Sequence, residues 1–277
     1  METPIPKFVK WAGGKGQLLE QFEPLFPEKV ETYIEPFVGG GAVFFYIIQK
    51  LKPQKAIISD NNEELINAYK IIRESVEELI IELKQHKEYH LSEGKRYYLT
   101  IRDTDPAELP PLERAARFIY LNKTCFNGLY RVNSKGRFNV PMGKYKNPDI
   151  VQKERLKAAS KLLKKATIKL MHFEKVIEFA QKGDFIYFDP PYYPLKKGMS
   201  FTTYTKEAFL EEEQKKLAEV FRQLDRKGCL LMLSNSDTDF IKDLYRGYKI
   251  HIVQAARMIN CDGNKRGKIN ELVVTNY

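Results

Sequence analysis

Apolar residues along this chain fall into two spacings. Short, nearly continuous apolar runs occupy residues 32–37, 56–60, 167–173, 184–189 and 229–235, a length that suits strands. Between them, apolar positions recur at the helical period. Residues 42–48 read as one helix, and in residues 61–84 the series Leu65, Ile66, Tyr69, Ile72, Val76, Leu79, Ile80 and Leu83 reads as continuous helix. Further helices are expected at about residues 174–181 and 207–227. When strands alternate with helices, each helix supplies the crossover that lets successive strands pair in parallel, so the pattern predicts a Rossmann-like, doubly wound α/β sheet. Near the end, residues 249–255 and 271–277 alternate apolar and polar positions around a loop rich in Gly and Lys. They predict an antiparallel β-hairpin that closes the sheet.

The alternation stops between about residues 86 and 148. That stretch is rich in Arg, Lys, Asn, Gly and aromatics, with helical patches near residues 95–102 and 112–123, and reads as an inserted, mostly helical subdomain. The expected division is a core of residues 1–85 and 149–277 with residues 86–148 inserted into it. Charge adds a partner to this picture. The chain holds 46 Lys and Arg against 36 Asp and Glu, a net charge of +10, and residues 131–165 alone carry eleven basic residues against Asp149 and Glu154. Such clustering favours phosphate contact over a merely solvated helix face. The first residues include Pro4, Pro6, Lys7 and Lys10 where a signal peptide needs an apolar stretch, and no later run reaches membrane-spanning length. A soluble, cytoplasmic monomer without membrane contact is therefore expected. Cys125, Cys229 and Cys261 are scattered and form no Cys-x-x-Cys pair, which predicts reduced thiols and no metal site.

The sharpest chemical signal is Asp189-Pro190-Pro191-Tyr192, at the end of an apolar strand. In an open α/β sheet, ligands bind at the carboxyl ends of the strands. Two successive prolines fix two φ angles and remove two amide donors, leaving a stiff backbone whose carbonyls are free to accept hydrogen bonds. An amino group conjugated to a ring, as in adenine, is a poor nucleophile because its lone pair is delocalised. Acceptors on both of its hydrogens, here Asp189 and the Pro190 carbonyl, would stabilise the positive nitrogen that forms as the group is alkylated. Tyr192 offers a flat face for stacking a base. The second signal is the segment Glu35 to Gly41, in which a strand runs through Phe37 into Gly39, Gly40 and Gly41. It lacks the full Gly-x-Gly-x-x-Gly spacing, and no Gly-Lys-Ser or Gly-Lys-Thr phosphate loop occurs. Asp60 ends the next strand about twenty residues on, where a ribose-binding acid belongs.

Together these segments closely resemble the Dam-type DNA adenine methyltransferases over nearly the whole chain. The resemblance is carried by Phe8 to Lys15, Glu35 to Gly41, Asp60, Phe126 to Arg131, Phe138 to Gly143 and Asp189 to Tyr192. It implies transfer of a methyl group from S-adenosylmethionine to the amino group of adenine in double-stranded DNA. It also implies that Trp11, Lys15, Asp60 and Asp189 contact the cofactor, that Gly39 and Gly41 shape its pocket with Phe37 and Phe173, and that Asp60 binds the ribose hydroxyls. No metal is needed, because a sulfonium activates its own methyl.

Adenine's amino group lies inside the duplex, so such an enzyme must flip the base and fill the gap. Phe126 and Tyr130 are the candidates for stacking. By resemblance, Phe126 and Asn127 belong to the recognition loop, Leu129 contacts an outer base pair and Arg131 reads guanine, with GATC as the target. Asn139 and Pro141 complete the DNA-facing set, and Lys144 and Tyr145 sit at its rim. Lys144 stands where some relatives carry Arg; it lacks the planar fork of a guanidinium, so phosphate contact suits it better than base readout. Met171-His172-Phe173 replaces a Gly-Asp-Phe segment of other members. His172, expected at a strand end beside the cofactor's adenine, could accept its amino hydrogen only while unprotonated, which predicts weaker cofactor binding below about pH 6.5. The polar residues 194–205 are expected to close over substrate. The competing assignments are an amino-group methyltransferase acting on RNA or protein, and a non-catalytic DNA-binding protein that keeps this core.

Overall fold

Five of the apolar runs become parallel strands. A computed structural model of the chain describes residues 4–195, 209–256 and 268–277. The strands are β1 (Thr32–Glu35), β2 (Lys55–Asp60), β3 (Ala166–Leu170), β4 (Phe185–Phe188), β5 (Leu230–Ser236), β6 (Lys249–Ala256) and β7 (Lys268–Thr275). They form one sheet in the order β3-β2-β1-β4-β5-β7-β6. β1 to β5 run parallel, with Ile34 level with Ile57 on one side and Ile186 on the other. β7 is inserted antiparallel between β5 and β6, so the closing hairpin forms as expected. The doubly wound class is thus correct.

Both faces of the central strands are apolar because helices cover both. Tyr33 of β1 and Tyr187 of β4 point into one core, while Ile34, Ile186 and Phe188 point into the other. The helices are α1 (Leu19–Phe22), α2 (Ala42–Lys50), α3 (Glu63–Glu74), α4 (Val76–Glu93), α5 (Lys95–Asp103), α6 (Pro111–Thr124), α7 (Lys153–Leu163), α8 (Glu211–Arg226) and α9 (Asp239–Leu244). α3 and α7 pack together on the first face, and α8 packs against β5 on the second. α5 and α6 supply the two helical patches expected between residues 86 and 148, and α6 packs on α3 and α4. The helix α4 runs unbroken across residue 86.

Three local expectations are corrected. Residues 61–84 are not one helix: the chain breaks at Ser75, with φ −137° and ψ 46°, although the apolar period continues through it. β3 ends at Leu170 rather than Phe173, because its last ladder bond joins the Met171 amide to the Asp60 carbonyl at 3.1 Å. The helix expected at about residues 174–181 is a shorter 3-10 turn over residues 173–178. Cys125 and Cys229 are free and buried, while Cys261 and most of the expected closing loop, from residue 196 onward, lie outside the described residues. Among the described residues no helix is long and apolar enough to cross a membrane, and no group of three or more His, Cys, Asp or Glu is placed to hold a metal.

The strand order reverses between β1 and β4: from β1 the chain winds outward to β2 and β3, and from β4 to β5. Loops after those two neighbouring strands leave the sheet in opposite directions and open a crevice at its carboxyl edge. The segment after β1 is Pro36 to Gly41, and the one after β4 is Asp189 to Tyr192.

Candidate active site

The crevice is a cleft of about 320 Å³. Trp11, Lys15, Phe37, Gly39, Gly41, Asp60, Phe173 and Asp189 to Tyr192 all line it, so the structure brings together every expected cofactor and catalytic position. His172, Glu35 and Glu271 line it as well.

On the β1 side, the turn into α2 needs left-handed backbone at Gly39, with φ 46°, and at Gly41, with φ 71°. Asp60 fixes this turn. One carboxylate oxygen accepts from the Gly39 amide at 3.1 Å and the other from the Asn62 amide at 3.0 Å. The Asn62 side chain in turn caps α3 by accepting from the Leu65 amide. Burial raises the Asp60 carboxyl to about 6, against the pull of these amides. Trp11 covers the glycine turn. A Cβ added at Gly39 would stand 2.7 Å from Trp11 Cδ1 and 2.9 Å from its Nε1. Left-handed backbone costs an L-residue about 1 to 2 kcal/mol on top of that clash. Gly39→Ala is therefore expected to lower Tm and to shift the emission of Trp11, the single tryptophan of the chain, to the red. Unchanged emission would show that the indole does not cover the turn.

On the β4 side, Lys15 is 3% exposed and its Nζ lies 2.8 Å from Asp189 Oδ1. The same ammonium donates to the Gly13 carbonyl at 2.6 Å and sits 4.5 Å above the Tyr192 ring. Burial raises the Asp189 carboxyl to about 6, with Lys15 pulling it down and Glu271 adding to the rise. Tyr192 donates its hydroxyl hydrogen to Glu271 Oε2 at 2.7 Å. Beneath the site, buried Glu35 accepts from the Tyr33 hydroxyl at 2.7 Å, and burial holds its carboxyl well above the usual carboxylate range.

Phe37 stacks on Phe173 with centroids 5.3 Å apart and planes at 27°, and the edge of Phe209 meets both rings. His172 is not a core residue. It is half exposed, and its Nδ1 lies 2.9 Å from Glu174 Oε2. With Nδ1–H donating to that carboxylate, the neutral ring presents Nε2 as an acceptor.

The expected DNA-facing residues cluster after α6. Phe126 is 49% exposed, and Asn127 beside it takes left-handed backbone. Leu129 is half-buried against the core. Arg131 donates from Nε to Asn139 Oδ1 at 2.7 Å, and the Asn139 amide returns a bond to the Arg131 carbonyl at 3.1 Å. The Phe126 amide donates to the carbonyl of Pro141, an exposed residue. Lys144 is exposed, and Tyr145 receives Lys10 both at its hydroxyl and over its ring. Tyr130 differs from expectation: one face of its ring is already stacked on Trp11 at 5.7 Å, and the ring also meets Phe118 and Phe138. The cluster is fastened to the segment that leads into Trp11 and Lys15 by buried Asn122, which accepts from the Lys10 amide and donates to the Lys10 and Gly128 carbonyls.

Sequence reasoning missed Glu271, Gln214 and Asn235. Gln214 Nε2 donates to the Pro191 carbonyl at 2.9 Å, and Asn235 Oδ1 accepts from the Tyr193 amide at 3.1 Å. All three reach the turn from elements more than fifteen residues further along, with no local motif to mark them.

Comparisons with known proteins agree with this geometry. The model of the D12 class N6 adenine-specific DNA methyltransferases matches residues 11–259. The type II methyltransferase M.MjaIII of Methanocaldococcus jannaschii is 48% identical over 99% of both chains. The type II methyltransferase M1.LlaDCHI of Lactococcus lactis is also 48% identical, over 98% of this chain and 95% of its own. The DNA adenine methylase of Haemophilus influenzae is 37% identical over 96% of this chain and 92% of its own. This chain belongs to the family of D12 class N6 adenine-specific DNA methyltransferases.

Proposed function

We propose that the cleft binds S-adenosylmethionine beside a flipped adenine, and that the turn from Asp189 to Tyr192 holds that adenine while its amino group is methylated within GATC. The observation that carries this reading is the buried Lys15–Asp189 pair at the switch point of the sheet, next to two successive prolines.

The cleft suits the cofactor. Asp60 is oriented by backbone amides at both oxygens, and its carboxylate keeps acceptor capacity for a ribose hydroxyl. Phe37 and Phe173 offer apolar ring edges for an adenine, with His172 Nε2 as an acceptor beside them. Gly39 and Gly41 let the backbone approach under Trp11. When bound, S-adenosylmethionine supplies an electrophilic methyl on a sulfonium. Asp189 accepts one amino hydrogen of the target and the Pro190 carbonyl accepts the other, which localises the lone pair on nitrogen and stabilises its developing charge. Tyr192 stacks on the base, and Lys15 keeps the Asp189 carboxylate ionised and oriented. That carboxylate is also the nearest base for the proton the alkylated nitrogen sheds.

On the DNA side, exposed Phe126 fills the space left by the flipped base, with Asn127 beside it. Arg131, oriented by Asn139, reads a guanine; Leu129 and Pro141 contact an outer pair, and Lys144 and Tyr145 meet phosphates at the rim. The GATC target rests on the resemblance of residues 126–131 and 138–143 to the Dam-type recognition segments. Arg131→Ala should relax discrimination at one guanine position by about 1 to 3 kcal/mol, the worth of a bidentate base contact. Lys144→Ala should weaken all duplexes alike and flatten the salt dependence. Equal losses on cognate and mismatched duplexes for Arg131→Ala would remove it from base readout. The assignment as a whole is tested by incubating the protein with labelled S-adenosylmethionine and duplexes of varied sequence, then mapping the modified base. N6-methyladenine confined to GATC is expected, and equal labelling of duplexes without GATC would refute the target.

A further inference from the structure

Two side-chain amides lie fully buried directly behind the catalytic turn. Gln214, on the first turn of α8, and Asn235, near the end of β5, are both 0% exposed. Buried amides cost stability unless every polar atom finds a partner, so their presence between an apolar helix face and an apolar strand calls for one.

Their partners form a chain whose direction is set by the backbone at both ends. The amides of Tyr193 and Ser236 can only donate, and both donate to Asn235 Oδ1, at 3.1 and 2.8 Å. Asn235 must therefore present its Nδ2 to Gln214, where it donates to Oε1 at 2.9 Å. Gln214 is left with Nε2 facing the turn, and this donates to the Pro191 carbonyl at 2.9 Å. A carbonyl oxygen carries no hydrogen, so Pro191 can only accept here. Every link thus agrees in polarity from Ser236 to Pro191, and no amide could be turned over without setting donor against donor. The chain grips the turn on both sides of Tyr192, at the carbonyl before it and at the amide after it. It occupies the Pro191 carbonyl, whereas among the described residues no hydrogen bond reaches the Pro190 carbonyl.

We propose that Gln214 and Asn235 are positioning residues that act as one buried amide relay: they occupy the Pro191 carbonyl, hold the Tyr193 amide, and so leave the Pro190 carbonyl alone to accept the target amino hydrogen. This rests on the reading of Asp189 to Tyr192 as the methyl-transfer turn. Reacting groups displaced by about 1 Å lose on the order of 10²-fold in rate, so losing the relay acts on the chemical step and not on binding.

The test is single-turnover methyl transfer at saturating duplex and cofactor, with cofactor affinity and Tm measured on the same proteins. Gln214→Leu removes the link, and the isosteric Gln214→Glu keeps the volume while replacing the donor with a carboxylate, so the test survives if one of them fails to fold. Both are expected to slow transfer about 10- to 100-fold with cofactor affinity within about threefold of wild type. Asn235→Asp, which keeps the acceptor and loses the donor, should slow transfer similarly. It should add no more than about threefold once Gln214 is already Leu, because groups in one network are not additive. Ser234→Ala is the structural control: it removes an equally buried bond between Tyr187 Oη on β4 and Ser234 Oγ on β5, at 2.7 Å and one residue from Asn235, and should lower Tm without slowing transfer. Transfer within about threefold of wild type in both Gln214 variants, full additivity with Asn235→Asp, or slowing that merely tracks Tm as in Ser234→Ala would overturn the relay. A variant at Asp189 in the same assay separates the two ideas. Because Asp189→Asn would keep an acceptor oxygen, the deciding variant is Asp189→Ala: if it is inactive while the Gln214 variants are unimpaired, the relay fails and the turn stands; if it stays active, the reading of the turn fails.

Discussion

Asp189→Ala is expected to slow the methyl-transfer step by about 10² or more while leaving duplex affinity within a few-fold of wild type. The carboxylate sits at the end of β4, paired at 2.8 Å with Lys15 and facing the cleft. On the proposed mechanism its work is done on charge that appears as the amino nitrogen is alkylated, so its removal should act on the transition state and leave the ground-state complex alone. Affinity for the duplex is expected to come from basic groups elsewhere, such as those clustered in residues 131–165. Rapid quench under single-turnover conditions measures the step, and a rate within about tenfold of wild type would contradict the role given to Asp189.

Lys15→Met should move the pH dependence of that step. Burial raises the Asp189 carboxyl to about 6 even with the ammonium beside it. The ionised form is the stronger acceptor and the only form able to take the proton that the alkylated nitrogen sheds, so wild-type transfer is expected to be half-maximal near pH 6 and to fall towards tenfold for each pH unit well below it. Lys15 favours the ionised form. Without it the carboxyl rises further, and the acid limb should move up by about 1 to 3 pH units, the usual effect of an adjacent opposite charge. At pH 7 the variant should lose about tenfold in rate and regain much of it by about pH 9. A limb that stays where it is in wild type would show that Lys15 does not govern the ionisation of Asp189.

Much of this site was legible because its chemistry is local in sequence. Asp189 to Tyr192 follows an apolar strand directly, and Gly39 and Gly41 sit in the turn between β1 and α2. Asp60 ends the strand that pairs with β1. Period alone could then place each segment at the carboxyl edge of a parallel sheet. What was not legible depends on partners far apart in the chain. Tyr130 looked free to stack on a base because nothing nearby reveals that Trp11 already covers one face of its ring. Gln214, Asn235 and Glu271 carry no motif, and they reach the turn only because α8 packs on β5 and β7 is threaded antiparallel beside it. The break at Ser75 was hidden for the opposite reason. The apolar period runs on from α3 into α4, so a spacing argument sees one helix where the backbone makes two. The end of β3 was misjudged because Met171 to Phe173 remain apolar enough to pass for strand while Phe173 turns inward under Phe37.

The central claim is that the turn after β4 holds the target amino group at two acceptors. A structure of the protein with a duplex and a non-transferable analogue of the cofactor tests it most directly. The account predicts a flipped adenine stacked on Tyr192, with its amino nitrogen about 3 Å from both an Asp189 carboxylate oxygen and the Pro190 carbonyl oxygen. An amino nitrogen bonded instead to the Pro191 carbonyl, or an adenine still paired within the duplex, would contradict it.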